Sequence, residues 1–174
     1  MGEACTKSEN AAEPQRSRPP TIEHRVSGAS GSRKSTRGRL NTGDETYAIA
    51  HAQAVLTDAY KSDVAVIRTH IKNGFPVDFP LNAQGWTLIH VAAQTGNMPL
   101  AQLLLEHDCD VDTEEVAEGW TPLMIAAINN MADVAELLVK HECDLTVRDK
   151  SNQTAEDLAV KYRSAAVSRF LSFL

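Results

Sequence analysis

The sequence predicts an all-α solenoid of about three to four stacked helix-turn-helix repeats behind a disordered N-terminal tail, and three observations lead there. The phrase "GWTLIHVAAQTGN" at Gly85 returns as "GWTPLMIAAINNM" at Gly119, 34 residues on, and such a period marks a repeat array. Aromatic residues are only 5% of a chain that is 43% hydrophobic, so its core must be aliphatic and alanine-rich. The first 43 residues show no apolar periodicity and are dominated by Ser, Thr, Gly, Pro and Arg.

Residues 1–43 form the first segment. They carry eight Lys/Arg against four Asp/Glu, whereas residues 44–174 carry nine against nineteen. The chain thus reads as a basic tail on an acidic body. "MGEACT" matches the simple myristoylation pattern at Gly2, with Cys5 nearby, but Glu3 departs from it and the reading is an ordinary start. "SRKSTRGR" sets basic residues around Ser35 and Thr36, the pattern of a basophilic kinase site or of a weak nuclear-import or nucleic-acid patch, on an otherwise solvated tail. No stretch approaches the roughly 18 apolar residues of a membrane span. The start lacks the apolar block of a secretory signal, and three cysteines without framework spacing fit a reduced, cytoplasmic or nuclear protein.

The body, residues 44–174, divides by its period. A divergent first unit covers about 47–80 and opens on a helix over Tyr47–Ser62; repeats follow at about 82–115, 116–148 and 149–174. In each repeat a threonine (Thr87, Thr121, Thr154) stands where its hydroxyl can cap the first helix, with Pro122 following at a tolerated position. Thr154 and Asp157 read as a capping box. Paired alanines permit close helix approach, Gly96 or Asn130 breaks the chain, and a leucine-rich second helix follows. Asp108 and Glu142 stand where the first unit has Gly74, a left-handed position that costs a non-glycine residue roughly 1 kcal/mol. In the last helix Val167, Phe170, Leu171 and Leu174 form an inward stripe, with Phe173 off it. The loop "DTEEVAEGW" holds one extra residue and the carboxylates Asp112, Glu114, Glu115 and Glu118.

"GWTLIHVAA…LLLEHDCDVD" and "GWTPLMIAA…LLVKHECDL" resemble ankyrin repeats, whose pattern runs G-x-T-P-L-H-x-A-A, a glycine, a leucine-rich helix and a GADV-like ending. The resemblance implies a protein-binding concave surface. Carried over onto this chain, its partner-facing slots are Ala83, Gln84, Trp86, Gln94 and Thr95; then Ala117, Glu118, Trp120, Ile128 and Asn129; then Lys150, Ser151, Gln153, Lys161 and Tyr162. Trp86 and Trp120 stand out, since tryptophan is enriched among binding hot spots. The implied function is a non-catalytic adaptor or regulatory subunit of a protein kinase, cell-cycle or DNA-replication complex; the alternative is an inhibitor that masks a transcription factor.

A different class would use His107/Cys109 and His141/Cys143 as zinc ligands or catalytic groups. Zinc needs ligands within about 2.0–2.3 Å of one point, while equivalent residues of stacked repeats stand about 8–10 Å apart. The cysteines read instead as small buried residues, and His90 as the structural histidine of its repeat. With no nucleophile elbow, phosphate loop or HExxH segment, neither an enzyme, a cofactor, a metal site nor a small-molecule substrate is expected. The acidic body argues against direct nucleic-acid binding, and no membrane partner is expected.

Overall fold

The computed structural model describes residues 42–174, with side chains from residue 46 onward. Among these residues there are helices and no strand: α1 Thr42–Tyr60, α2 Val64–Lys72, α3 Leu88–Thr95, α4 Met98–Glu106, α5 Pro122–Ile128, α6 Ala132–Lys140, α7 Ala155–Lys161 and α8 Ala165–Leu171. The tail expected over residues 1–43, with Gly2, Cys5, Ser35 and Thr36, lies outside the described residues except for its last two positions. Those two already belong to α1, which starts five residues before the expected Tyr47 and stops two before Ser62. Composition alone does not show that a helix runs on through a Thr-Gly pair.

The helices alternate between two layers. α1, α3, α5 and α7 pack in sequence as an inner layer, and α2, α4, α6 and α8 as an outer one. Every residue from Leu88 to Ala93 in α3 and from Pro122 to Ala127 in α5 is buried. Such a helix is apolar all round because it has neighbours on both sides as well as beneath. Ala92, Ala93, Ala126 and Ala127 have no exposed surface, and their small side chains let adjacent inner helices approach closely. The outer helices bury one stripe each: Ile67 in α2, Leu100, Leu103 and Leu104 in α4, Val134 and Leu138 in α6, and Val167 and Leu171 in α8.

The inner helices start as expected. Thr87, Thr121 and Thr154 are the N-caps of α3, α5 and α7, and Thr154 and Asp157 close a capping box. The outer helices use a different set. Asp63 and Asn97 accept from the third residues of α2 and α4, Val66 at 3.2 Å and Leu100 at 3.1 Å. At α6 the cap position is Met131, which has no acceptor. The preceding Asn130 instead reaches across to the next unit, where its Oδ1 accepts from the Ala166 and Val167 amides of α8.

Left-handed backbone recurs in three columns of the repeat. The hairpin tips hold Gly85, Gly119 and Asn152; the helix–helix turns hold Ser62, Gly96, Asn130 and Arg163; the exits of the outer helices hold Gly74, Asp108 and Glu142. At Gly85 a Cβ would also lie 2.9 Å from Val116 Cγ2, so that side chain would have to shift. Asp108 (φ 55°) and Glu142 (φ 59°) hold the strained conformation expected of them. The final stripe differs in part. Val167 and Leu171 are buried, but α8 ends at Leu171, so Leu174 leaves the stripe and is 63% exposed, beside Phe173 at 83%.

His90 ties two units together. Its Nδ1 accepts from the Thr87 amide at 3.1 Å and lies 3.0 Å from the Thr87 hydroxyl. The ring proton therefore sits on Nε2, which donates to the Trp120 carbonyl of the next unit at 3.3 Å. Burial holds its pKa below the ordinary histidine value, against the opposing pull of the Trp120 and Thr113 carbonyls and of Glu115 and Asp110. A base whose folded-state pKa is lowered destabilises the fold on acidification. Stability is unaffected above the unfolded pKa near 6.5 and falls as pH drops from there toward the folded value.

Two outcomes are expected. Denaturant titrations should show Asp108→Gly and Glu142→Gly each stabilising by up to about 1 kcal/mol, less for Asp108; unchanged midpoints would contradict backbone strain there. His90→Gln should lower stability at pH 8 by about 1–3 kcal/mol and flatten its dependence on pH below about 6.5. An unchanged slope would mean that His90 titrates alike folded and unfolded.

Candidate functional site

Between the outer helix of one unit and the inner helix of the next, the chain makes a tight hairpin, and each hairpin is organised by one side-chain oxygen acceptor. Asn82 Oδ1 accepts from the Gln84 and Trp86 amides, both at 3.1 Å. Asp149 Oδ1 accepts from the Ser151 amide at 2.9 Å and the Gln153 amide at 2.8 Å. Glu115 does the same in the longer middle turn, accepting from Ala117 at 2.7 Å, from Trp120 at 3.3 Å and from Glu118. Main-chain bonds Leu81 to Trp86, Glu115 to Trp120 and Asp149 to Gln153 close the three hairpins.

Of the four carboxylates in this loop, Glu115 is therefore turned inward and is 3% exposed. Burial pushes its carboxyl up, yet the amides of Glu118, Ala117, Trp120 and Gly119 outweigh this and hold it below the usual carboxylate range. The extra residue of this loop explains the choice of side chain. Glutamate, one methylene longer than aspartate, spans the wider turn and satisfies an additional donor. Asp112, Glu114 and Glu118 remain more accessible than Glu115.

The hairpins are joined tip to tip. The Val116 amide donates to the Gln84 carbonyl at 2.7 Å, and the Lys150 amide to the Glu118 carbonyl at 2.9 Å. Lys150 Nζ also bonds the Val116 carbonyl and, at 2.8 Å, that of Ala117. The three tips thus form one row, each leading through Trp86, Trp120 or Gln153 into the N-terminal end of the next inner helix.

Both tryptophans sit half-buried at the base of this row and pack on the core. They differ in one respect. The Trp120 indole donates to Asp149 Oδ2 at 3.2 Å. Trp86 packs 5.8 Å from the His90 ring. Its indole N–H has no acceptor among the described residues, since Glu115, the corresponding carboxylate, is occupied by its own turn. The other partner-facing positions are also largely engaged within the chain. Gln94 accepts from the Tyr60 hydroxyl at 2.9 Å, while Thr95 and Asn129 bond back to the Val91 and Ile125 carbonyls. Gln153 accepts from Lys161 Nζ at 2.7 Å, and Lys161 lies 5.8 Å from the Tyr162 ring. Ala83, Gln84, Ala117, Glu118 and Ser151 are exposed at the tips, and Ile128 is half-buried at the end of α5. The residues that sequence reasoning missed are Asn82, Glu115 and Asp149. For the outer two, the signal was an Asn or Asp four residues before Trp86 and Gln153.

The two His-x-Cys pairs do not converge. His107 and His141 are exposed while Cys109 and Cys143 are buried. Burial, aided by Asp78 and Asp110 for Cys109 and by Asp112 for Cys143, pushes both thiols up to about 12, so they stay neutral and poorly nucleophilic. Among the described residues no three His, Cys, Asp or Glu side chains are placed to hold a metal ion, and no helix is long and apolar enough to cross a membrane.

Taken together, these elements define a repeat-stack scaffold, with a row of cross-linked hairpins and a layer of inner helices. Residues 53–149 and 112–172 match the family described as ankyrin repeats (3 copies), so the chain belongs to the ankyrin-repeat family, a class of protein-interaction modules that is generally non-catalytic. A stretch of 56 residues is 36% identical to the potassium channel AKT3 of Oryza sativa subsp. japonica. That stretch is 32% of this chain and 6% of the channel.

Replacing Glu115 by Ala leaves three turn amides without their acceptor and should destabilise the protein by about 1–3 kcal/mol. Glu115→Gln should cost less and should remove the part of the acid sensitivity that begins below the carboxylate's ordinary pKa of about 4.3. Urea titration across that pH range checks both, and wild-type stability in Glu115→Ala would refute the anchoring role.

Proposed function

We propose that this chain is a non-catalytic adaptor or regulatory subunit that holds a protein partner against its hairpin row and the ends of its inner helices. One observation carries the reading: the three tips are hydrogen-bonded to one another, so their exposed side chains are presented on one pre-ordered surface. Binding to such a surface orders little backbone, which lowers the entropic cost of association. Trp86, half-buried with an indole N–H that has no acceptor among the described residues, offers a hydrogen-bond donor and a large apolar contact at the base of that surface. In this reading the partner is a protein kinase or a cell-cycle complex in the cytoplasm or nucleus, and Ser35 and Thr36 are phosphorylated to regulate the assembly.

The test separates surface from scaffold. Gln84→Arg, Glu118→Arg and Ser151→Arg together change three exposed tips without touching the anchors Asn82, Glu115 and Asp149. Affinity purification from native extract should recover partners with the wild-type chain and lose them with the triple variant, whose circular dichroism stays unchanged. Phosphotransfer activity in the recovered complex would identify the kinase class. Retention by the triple variant, with loss on substituting exposed positions of α4 and α6, would move the interface to the outer layer.

A further inference from the structure

We infer that the C-terminal part of this face receives an acidic segment of the protein partner, with Lys150 and Lys161 as its anion-binding residues; the inference rests on the protein-binding reading above. Lys150 stands at the tip of the last hairpin with its Nζ on the Val116 and Ala117 carbonyls of the middle one, and Lys161, from the end of α7, is bonded to Gln153 in the last hairpin. Both donate only to neutral oxygens, the carbonyls of Val116 and Ala117 and the amide of Gln153. Neither has a carboxylate within ion-pair distance among the described residues, unlike Lys61 with Asp58 and Lys140 with Glu136. The carboxylate inside the hairpin is already committed. Asp149 is buried and accepts from two amides and the Trp120 indole. An ammonium has three donors, so each lysine keeps capacity for an incoming carboxylate.

The placement runs against the charge of the body as a whole. Asp108, Asp110, Glu142 and Asp144 are exposed at the exits of the outer helices, α3 and α5 carry no charged residue, and α7 carries Glu156 and Asp157 in its first turn and Lys161 in its last. Two lysines without an ion pair among the described residues, on the partner-facing edge of an acidic body, favour an anionic segment by direct attraction, and the surrounding charge disfavours delivery anywhere else. Tyr162, 47% exposed beside Lys161, adds an aromatic contact of the kind enriched at binding centres. Glu114 and Glu118, exposed on the middle hairpin whose carbonyls hold the Lys150 ammonium, repel the same segment.

The experiment selects a random peptide library, displayed on phage, against the full chain at low salt. It then measures the enriched peptides against the Lys150→Glu/Lys161→Glu and Glu118→Lys variants, with circular dichroism as the folding control. Enriched sequences should be net acidic. Their affinity should fall about tenfold or more on the double charge reversal and rise a few-fold with Glu118→Lys. Neutral or basic enriched peptides, or affinities indifferent to the reversal, overturn the inference. Hydrogen-exchange footprints then show what else fails. Non-acidic peptides that protect the hairpin tips remove only the acidic preference. Peptides that protect α4 and α6 instead, or no enrichment at all, remove the protein-binding reading as well.

Discussion

A two-helix unit of this chain cannot bury its own apolar surface, and every other feature depends on that constraint. α3 and α5 have no polar side to turn toward water along Leu88–Ala93 and Pro122–Ala127, so each is stable only between neighbours. Stacking is therefore the folding event itself, and it dictates residue choice at three places. The contacts between inner helices require small side chains, met by Ala92, Ala93, Ala126 and Ala127. The turns require left-handed backbone at fixed intervals, met by glycine or, at a cost, by Asp108, Glu142 and Arg163. The polar groups drawn inside by stacking require partners in the adjacent unit, met by the bond from His90 to the Trp120 carbonyl.

The hairpin row is a consequence of the same stacking. Bringing successive turns close together removes water from their amides, and a buried amide without an acceptor is costly. Asn82, Glu115 and Asp149 supply the acceptors from within each turn, and the tip-to-tip bonds use up part of what remains. A surface built this way is ordered before any partner arrives. Its side chains can differ from unit to unit because main-chain bonds join each pair of tips, with Lys150 alone of the tip side chains adding a bond of its own. That division lets one scaffold carry Gln84, Glu118 and Ser151 at its tips without a structural penalty, and it leaves the recognition chemistry to residues such as Trp86, Lys150 and Lys161.

Much of this was legible in the sequence, for a physical reason. Features that every unit must satisfy repeat, and repetition exposes them: the capping threonines, the alanine pairs, the leucine stripe, and Asp108 and Glu142 in the column of Gly74. What was not legible breaks the period. Glu115 looked like one carboxylate among four because the loop around it has an extra residue, which displaced it from the alignment with Asn82 and Asp149. The cap that Asn130 provides for α8 acts between units, so no window along one repeat shows it. The start of α1 at Thr42 and the departure of Leu174 from its stripe concern the two ends of the array, where no neighbouring copy gives a reference. Trp86 and Trp120 read as equivalent letters, yet only Trp120 is held by a carboxylate, because the turn following Trp86 uses its own acid internally.

Native-state hydrogen exchange on the full chain tests the dependence of the hairpins on the stack most directly. The amides of Trp86, Ala117, Trp120, Ser151 and Gln153 should be protected and should open together with the inner helices, so that raising denaturant brings both to one common unfolding free energy. The contradicting result is a set of hairpin amides that exchange as freely as those of an unstructured peptide while α3 and α5 stay protected. The tips would then be separable loops, and the ordered surface attributed to them would not exist.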